Sequence, residues 1–457
     1  MTTLTSWKAA RCRWHDRAGI PVLALAAAAL TAVVTWCGPV VVAELPEPLL
    51  TVITPPGGRQ GESVEVGVTG ENLDDLTAMV FSHPGITATP VMAAATEFDP
   101  EPRPVPGRMT VTIAADVPAG IYEAAAIGRF GVSSSRRFVV GRAPEFRKTG
   151  PIETAEKALP LPLDAVANAA VDANAADHYA VECQPGQRVH LEVWANRIDS
   201  RIDPLLEVRG PDGRLVEVAT EAIDGDPILD FTAVNAGRHV VQVHDRYARG
   251  GGEFFYRVAV STGPVVVAVF PAAAEMGQPA EITVMGRGLG EGAVPMPDDD
   301  GRGLEQKAID VDPSQIGFDD PAVPVGRLLS PRDSTADLVP LRGGVFDEVP
   351  VPPTVLRVDL EVVPEVEPND EADPLELVPW PAVVAGRFHP RGDRDSFTFE
   401  ANAGDALILD LFSRRLGSET DASLKLERLE FDDAGGMTTH EVAYADDGPQ
   451  EFQGAIV

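Results

Sequence analysis

The chain has 457 residues, 44% of them apolar, and a formal net charge of −33. That length supplies about three independent hydrophobic cores, and the apolar content argues against disorder throughout. The charge argues against nucleic-acid binding, which needs basic surface to displace counterions from phosphates. It fits either a soluble, self-repelling surface or cation binding.

At the N-terminus, Lys8, Arg11, Arg13 and Arg17 precede an apolar run over residues 18–34 and a small-residue exit at Ala43. Residues 1–43 therefore read as a secretory signal peptide, or as an uncleaved signal anchor, since the run approaches the roughly 20 residues a membrane span needs. Cys37 lacks the small preceding residue of a lipidated cysteine and belongs to the export signal. Either reading makes the protein exported: secreted, periplasmic or at the cell surface, touching the membrane only through an uncleaved N-terminal helix. Past this segment Cys183 is the one cysteine, expected as a small buried residue near a strand end.

Beyond residue 43 the pattern is that of strands. Residues 64–68, 109–113, 189–194 and 239–243 alternate apolar and polar or form short apolar runs. Pro185-Gly186, Pro211-Asp212-Gly213, Ala236-Gly237 and Ala403-Gly404 supply turn glycines. No sustained helical period appears, so the expected fold is all-β, a tandem array of antiparallel β-sandwiches.

The chain also repeats itself. Residues 177–209 align without a gap on 395–427, pairing Asp177 with Asp395, Glu182 with Glu400, Gly186 with Gly404, Leu191 with Leu409 and Arg197 with Arg415. Residues 51–73 align on 267–289 through Pro55 and Pro271, Gly61 and Gly277, Gly70 and Gly286. Two different modules thus occur twice in the same order, the pattern of an array rather than of one large enzyme domain. The expected modules span 47–142, 151–262, 263–363 and 365–457. Within the third, residues 291–342 are rich in Asp, Gly and Pro and are expected as long acidic loops. The fourth is expected to be incomplete, because the region corresponding to 230–260 is mostly missing before Val457; either the natural chain continues, or this module is unstable as written.

The second and fourth modules resemble the bacterial pre-peptidase C-terminal domain. The fourth has Glu367-Pro368-Asn369-Asp370, Asp393-Arg394-Asp395-Ser396-Phe397 and Ala403-Gly404; the second has Asp177, Tyr179, Pro185-Gly186 and Ala236-Gly237-Arg238-His239. The first and third resemble immunoglobulin-like domains of exported bacterial surface proteins, through Pro55, Gly61, Gly70-Glu71-Asn72-Leu73 and 118–122. The resemblance implies immunoglobulin-like sandwiches alternating with jelly-roll-like ones, used for binding or folding assistance, often beside a secreted peptidase. It also implies calcium at the acidic lead-in of the fourth module, held by Glu367, Asn369 and Asp370 with Asp393 or Asp395, oxygen ligands of the kind Ca²⁺ takes. A solvated acidic linker is the other reading of these residues. The second module lacks the Glu-Pro-Asn-Asp lead-in over 143–157, so calcium is expected in the fourth alone.

Other candidates are weaker. Asp298-Asp299-Asp300-Gly301 lacks the alternating spacing of an EF-hand loop. Arg391-Gly392-Asp393 spells an adhesion tripeptide but overlaps the motif leading into a strand, where turn chemistry accounts for it. His239 and His244 fall on opposite faces of one expected strand and cannot share a metal. Arg197 with Asp203, and Arg415 with Asp421, are expected as structural ion pairs. No nucleophile motif appears, so the chain is expected to be no enzyme. The expectation is a non-catalytic exported or surface protein that binds extracellular protein or polysaccharide, or else the non-catalytic accessory region of a secreted hydrolase.

Overall fold

The computed structural model describes residues 46–95, 101–220, 226–296, 303–311, 338–341, 343–347, 349, 353–371, 376–389, 392–413, 416, 418, 420–432 and 434–446. The export segment, Asp298-Asp299-Asp300, Arg391 and Arg415 lie outside the described residues. Among the described residues strands dominate, and helical structure takes the form of single 3-10 turns such as Ala155–Lys157 and Asn196–Ile198. The protein is all-β and built of β-sandwiches.

The first body comprises β1 (Leu49–Thr54), β2 (Gly57–Arg59), β3 (Ser63–Glu71), β4 (Ala78–Phe81), β5 (Ile86–Met92), β6 (Pro104–Ile113), β7 (Gly120–Gly128) and β8 (Gly131–Gly141). One sheet runs β1-β3-β6-β5 and the other β2-β8-β7-β4. Alternation puts Val66, Val68, Met109, Val111 and Ile113 of the first sheet against Tyr122, Ala124, Ala126, Phe138 and Val140 of the second. The Tyr122 hydroxyl donates to the Pro118 carbonyl at 2.6 Å, which fixes the arch leading into β7 and gives the Pro118-to-Tyr122 stretch its structural role.

After residues 142–144 the second body begins with β9 (Glu145–Arg147), followed by β10 (Leu159–Pro160), β11 (Ala165–Ala170), β12 (Asp177–Cys183), β13 (Arg188–Trp194), β14 (Pro204–Arg209), β15 (Leu215–Ala219), β16 (Ile228–Thr232), β17 (Gly237–Asp245) and β18 (Phe255–Ser261). Its sheets, β10-β12-β17-β14-β15 and β16-β13-β18-β11-β9, enclose Tyr179, Val181, Leu191, Val193, Leu206, Val241, Tyr256 and Val258. Cys183 ends β12 fully buried, as expected. A separate apolar seam joins the two bodies: Val52, Ile121 and Val139 of the first meet Trp194, Ile198 and Phe255 of the second. Gly57 helps close it, because a Cβ there would stand 2.3 Å from the Arg257 guanidinium.

The expected pairing of Arg197 with Asp203 is wrong. The turn Asn196–Ile198 ends in Asp199 at φ 65°, and it sends the buried Arg197 guanidinium back beneath β13, to Glu192 Oε1 at 2.6 Å and Asp226 Oδ2 at 2.9 Å. Asp203 instead approaches Arg246 at 3.7 Å. Arg137 then ties the first body to this turn by donating to the Arg197 carbonyl at 2.8 Å and lying 3.4 Å from Asp199.

Residues 262–264 lead to β19 (Val265–Phe270), β20 (Ala273–Glu275), β21 (Ala280–Arg287), β22 (Val294–Pro295), β23 (Glu305–Val311), β24 (Leu338–Pro340) and β25 (Thr354–Val358). Ile282, Val284, Leu289, Phe346 and Val355 form this body's core. The loop expected over 291–342 is interrupted by β23, which pairs with β21 from Ala280 opposite Val311 to Gly286 opposite Glu305. Its Ile309 and Val311 pack on the core, so a short alternation inside an acidic stretch suffices for a strand once a neighbour is available.

The sequence repeat is also a repeat of register. β1 pairs with β3 from Leu49 opposite Glu71, with a bulge between Leu50 and Val52; β19 pairs with β21 from Val265 opposite Arg287, with a bulge between Val266 and Ala268. β9 runs parallel to β11 with Glu145 opposite Val166, and β26 (Val362–Pro364) runs parallel to β27 (Val383–Ala385) with Val363 opposite Val384. The last ladder joins β28 (Leu424–Phe431) to β29 (Met437–Ala445). Among the described residues nothing stands beside 395–412 as β16, β17 and β18 stand beside β12 and β13, and this stretch carries isolated bridges rather than strands.

Replacing Arg197 by Met would leave Glu192 and Asp226 buried without a counter-charge. We expect a loss of about 3–5 kcal/mol, read as lost hydrogen-exchange protection of β13 in the full chain. Arg59→Ala, which breaks an exposed pair with Glu62, is expected to cost under about 1 kcal/mol. Equal protection of β13 in both variants would refute the assignment.

Candidate metal centre

The acidic lead-in leaves β26 directly. Parallel pairing with β27 continues one residue further, through a hydrogen bond from the Glu365 amide to the Ala385 carbonyl at 2.8 Å. This turns the Glu365 side chain inward, where it is fully buried. The next turn is held by its own side chain, since the Asn369 amide donates to Glu367 Oε2 at 3.1 Å. Two further bonds fasten it to the segment carrying Asp395: the Ser396 amide donates to the Asn369 carbonyl at 2.9 Å, and the Ser396 hydroxyl donates to the Asp370 carbonyl at 3.2 Å.

Glu365, Glu367 and Asp395 consequently each bring a carboxylate oxygen within 4.8 Å of the others. Gly386 makes room for them, because a Cβ there would meet Glu365 Oε2 at 2.9 Å and Asp395 Oδ2 at 3.3 Å. One cation already serves the group: Arg387 donates to Glu365 through its amide at 2.9 Å and its Nε at 3.2 Å, and its guanidinium lies 4.2 Å from the Phe270 ring centre. Three other polar atoms here are unsatisfied. Asp395 Oδ1 and both side-chain amide atoms of Asn369 are shut off from water without a hydrogen-bond partner, a costly condition for polar atoms.

Of the five ligands expected from sequence, the fold gathers Glu367 and Asp395 and sets Asn369 between them in the chain turn. Asp393 is used differently, its carboxylate accepting from the amides of His389 at 2.7 Å and Arg394 at 2.9 Å to form a turn. Gly392, at φ 90°, belongs to that turn, in keeping with the turn reading of residues 391–393. Asp370 is exposed and joins the network by its carbonyl. Sequence reasoning missed Glu365, which precedes the Glu-Pro-Asn-Asp motif; the available signal was an acidic residue at the end of a strand whose other residues are apolar.

Burial and the crowding of Glu365, Asp393, Glu367 and Asp370 push the Asp395 carboxyl up to about 6. Its unfolded value is near 3.9, so the folded state favours the protonated acid. In cation-free solution this contribution is fully present below about pH 4 and lost as pH rises through about 6. The donors are hard oxygens, the set suited to calcium or magnesium rather than to a soft metal. The orphaned oxygens and the space kept by Gly386 fit such an ion.

By sequence, the chain matches no known protein family and no curated protein. Several solved structures are similar to parts of it. The pre-peptidase C-terminal domain of a Bacillus anthracis collagenase has 14% identity over 25% of this chain and 99% of its own, with a TM-score of 0.20. The secreted serine protease VesC of Vibrio cholerae has 13% identity over 45% of this chain and 47% of its own, with a TM-score of 0.17. The SGBP-B protein of the Bacteroides ovatus mixed-linkage glucan utilization locus, solved with a heptasaccharide, has 13% identity over 51% of this chain and 50% of its own, with a TM-score of 0.18.

In chelator-treated buffer, hydrogen-exchange protection of residues 393–400 is expected to fall between pH 4 and pH 7 (the range set by the Asp395 shift) and to change little in Asp395→Asn. A wild-type profile as flat as the variant's would refute the upward shift of the Asp395 carboxyl.

Proposed function

We propose that this chain is a non-catalytic exported scaffold whose tandem sandwiches present surfaces to an extracellular protein or polysaccharide, with a divalent cation, calcium first, stabilising the acidic lead-in after β26. The observation that carries the scaffold reading is the recurrence of two strand pairings, that of β1 with β3 in β19 with β21, bulge included, and that of β9 with β11 in β26 with β27. Repetition multiplies surface of one kind, which suits multivalent contact. The buried charges support it as well, being committed to structure: Arg197 to Glu192 and Asp226, Arg257 to Glu145, and Asp230 to both Arg188 and Arg287.

In this reading Glu365, Glu367 and Asp395, with the Asn369 side-chain oxygen, hold the cation. The ion supplies positive charge that lets Asp395 ionise beside its acidic neighbours. Burial and four neighbouring acids raise Asp395, and a bound cation removes that penalty at neutral pH.

Calcium in the millimolar range is expected to raise protection of residues 365–400 by tenfold or more, roughly the effect of ligand at ten times its dissociation constant. Glu367→Gln combined with Asp395→Asn would abolish that rise. Equal protection with and without calcium would exclude the cation. For the scaffold, the exported chain is mixed with insoluble polysaccharides and sedimented. Retention on at least one, with no release of soluble sugar, is the expected result. Sugar or peptide release by the purified chain would overturn the non-catalytic reading.

A further inference from the structure

The registers of β9 with β11 and of β26 with β27 set the two lead-ins side by side. Arg147 corresponds to Glu365, Lys148 to Val366 and Thr149 to Glu367, while Asp177 corresponds to Asp395. The same aspartate therefore keeps opposite company in the two copies. Asp395 faces two glutamates. Asp177, fully buried, faces the Lys148 ammonium at 2.7 Å.

The surroundings of that ammonium are oxygen atoms. Besides Asp177 Oδ1, Lys148 Nζ lies 3.1 Å from the Ala170 carbonyl and 3.2 Å from Asp172 Oδ2. Asp177 Oδ2 is occupied separately, accepting from the Tyr256 hydroxyl at 2.8 Å, and Tyr256 is in turn 2.6 Å from the Tyr179 hydroxyl. A positive centre among one carbonyl and two carboxylate oxygens is what a hard metal ion also accepts. In the second copy the corresponding side chain, Val366, is 76% exposed and brings no charge to Asp395.

We propose that Lys148 is the built-in cation of the first copy, occupying with its ammonium the place that the second copy leaves to a free divalent ion, and that removing the amine converts the Asp177, Asp172 and Ala170 oxygens into a calcium-binding site. The half of this statement that concerns the second copy rests on the cation reading above; the half that concerns Lys148 does not. The two lead-ins then differ in regulation. The first is insensitive to calcium, and the second responds to it.

The test uses the full exported chain, as wild type, Lys148→Ala, Lys148→Arg and Asp395→Asn, with hydrogen exchange of β12 and of residues 393–400 followed in chelator and in millimolar calcium. In wild type and in Lys148→Arg, β12 is expected to exchange at the same rate in both buffers. In Lys148→Ala its protection is expected to fall at least tenfold in chelator and to recover severalfold with calcium. Unchanged β12 protection in that variant under chelator, or lost protection that calcium does not recover, overturns the proposal; a variant that stays unfolded in calcium counts as the second of these. A calcium response of residues 393–400 in wild type, lost in Asp395→Asn, is scored separately. Its absence would sink the cation reading of the second copy while leaving the role of Lys148 to stand or fall on β12.

Discussion

The guanidinium of Arg197 has been taken out of water and must be satisfied by protein, and much of the molecule's order around residues 190–200 and 226 follows from that. Glu192 reaches it from β13, and Asp226 reaches it from the chain before β16. Asp226 also accepts from the amides of Ala195, Asn196 and Arg197. One buried carboxylate thereby satisfies a side chain and a turn of backbone together, which is how a buried charge is kept affordable. The turn it fixes carries Ile198 into the apolar seam and Asp199 to Arg137, so the relation of the first two sandwiches is set by a cluster lying in only one of them.

Strand positions were largely legible in the sequence, because alternation and turn glycines act over a few residues. The stretches 64–68, 109–113, 189–194 and 239–243 all lie in strands of the structure. The strand β23 was not legible: its neighbours in sequence are acidic and loop-like, and what makes it a strand is the long ladder with β21. The partner of Arg197 was missed for a similar reason. Asp203 lies only six positions further along the chain, but a left-handed residue at 199 reverses the direction between them.

The candidate site shows the same division. The family resemblance pointed to Glu367, Asn369 and Asp395, which the fold brings near one another. It also pointed to Asp393, whose carboxylate goes to backbone amides, and it passed over Glu365. Whether a carboxylate faces a pocket or caps a turn depends on the parity of residues after a strand and on where the next segment crosses, neither of which a list of acidic residues contains. The contrast between Lys148 and Val366 is hidden in the same way. In sequence it is one substitution in a poorly matching stretch; in the fold it decides whether a buried aspartate has a neighbour of opposite sign.

The connections between bodies have a mechanical consequence. Residues 142–144 separate β8 from β9, and residues 262–264 separate β18 from β19. Each such tripeptide spans at most about 10 Å when drawn straight, so there is almost no slack to pay out. Tension on the chain would pass from one sandwich to the next almost undamped. At the first junction it would arrive at β9, whose Glu145 is clamped by Arg257 at 2.7 Å and by Asn168 at 2.8 Å. A short edge strand lying parallel to its neighbour is loaded in shear along its hydrogen bonds, and this charged clamp is what resists its being drawn out.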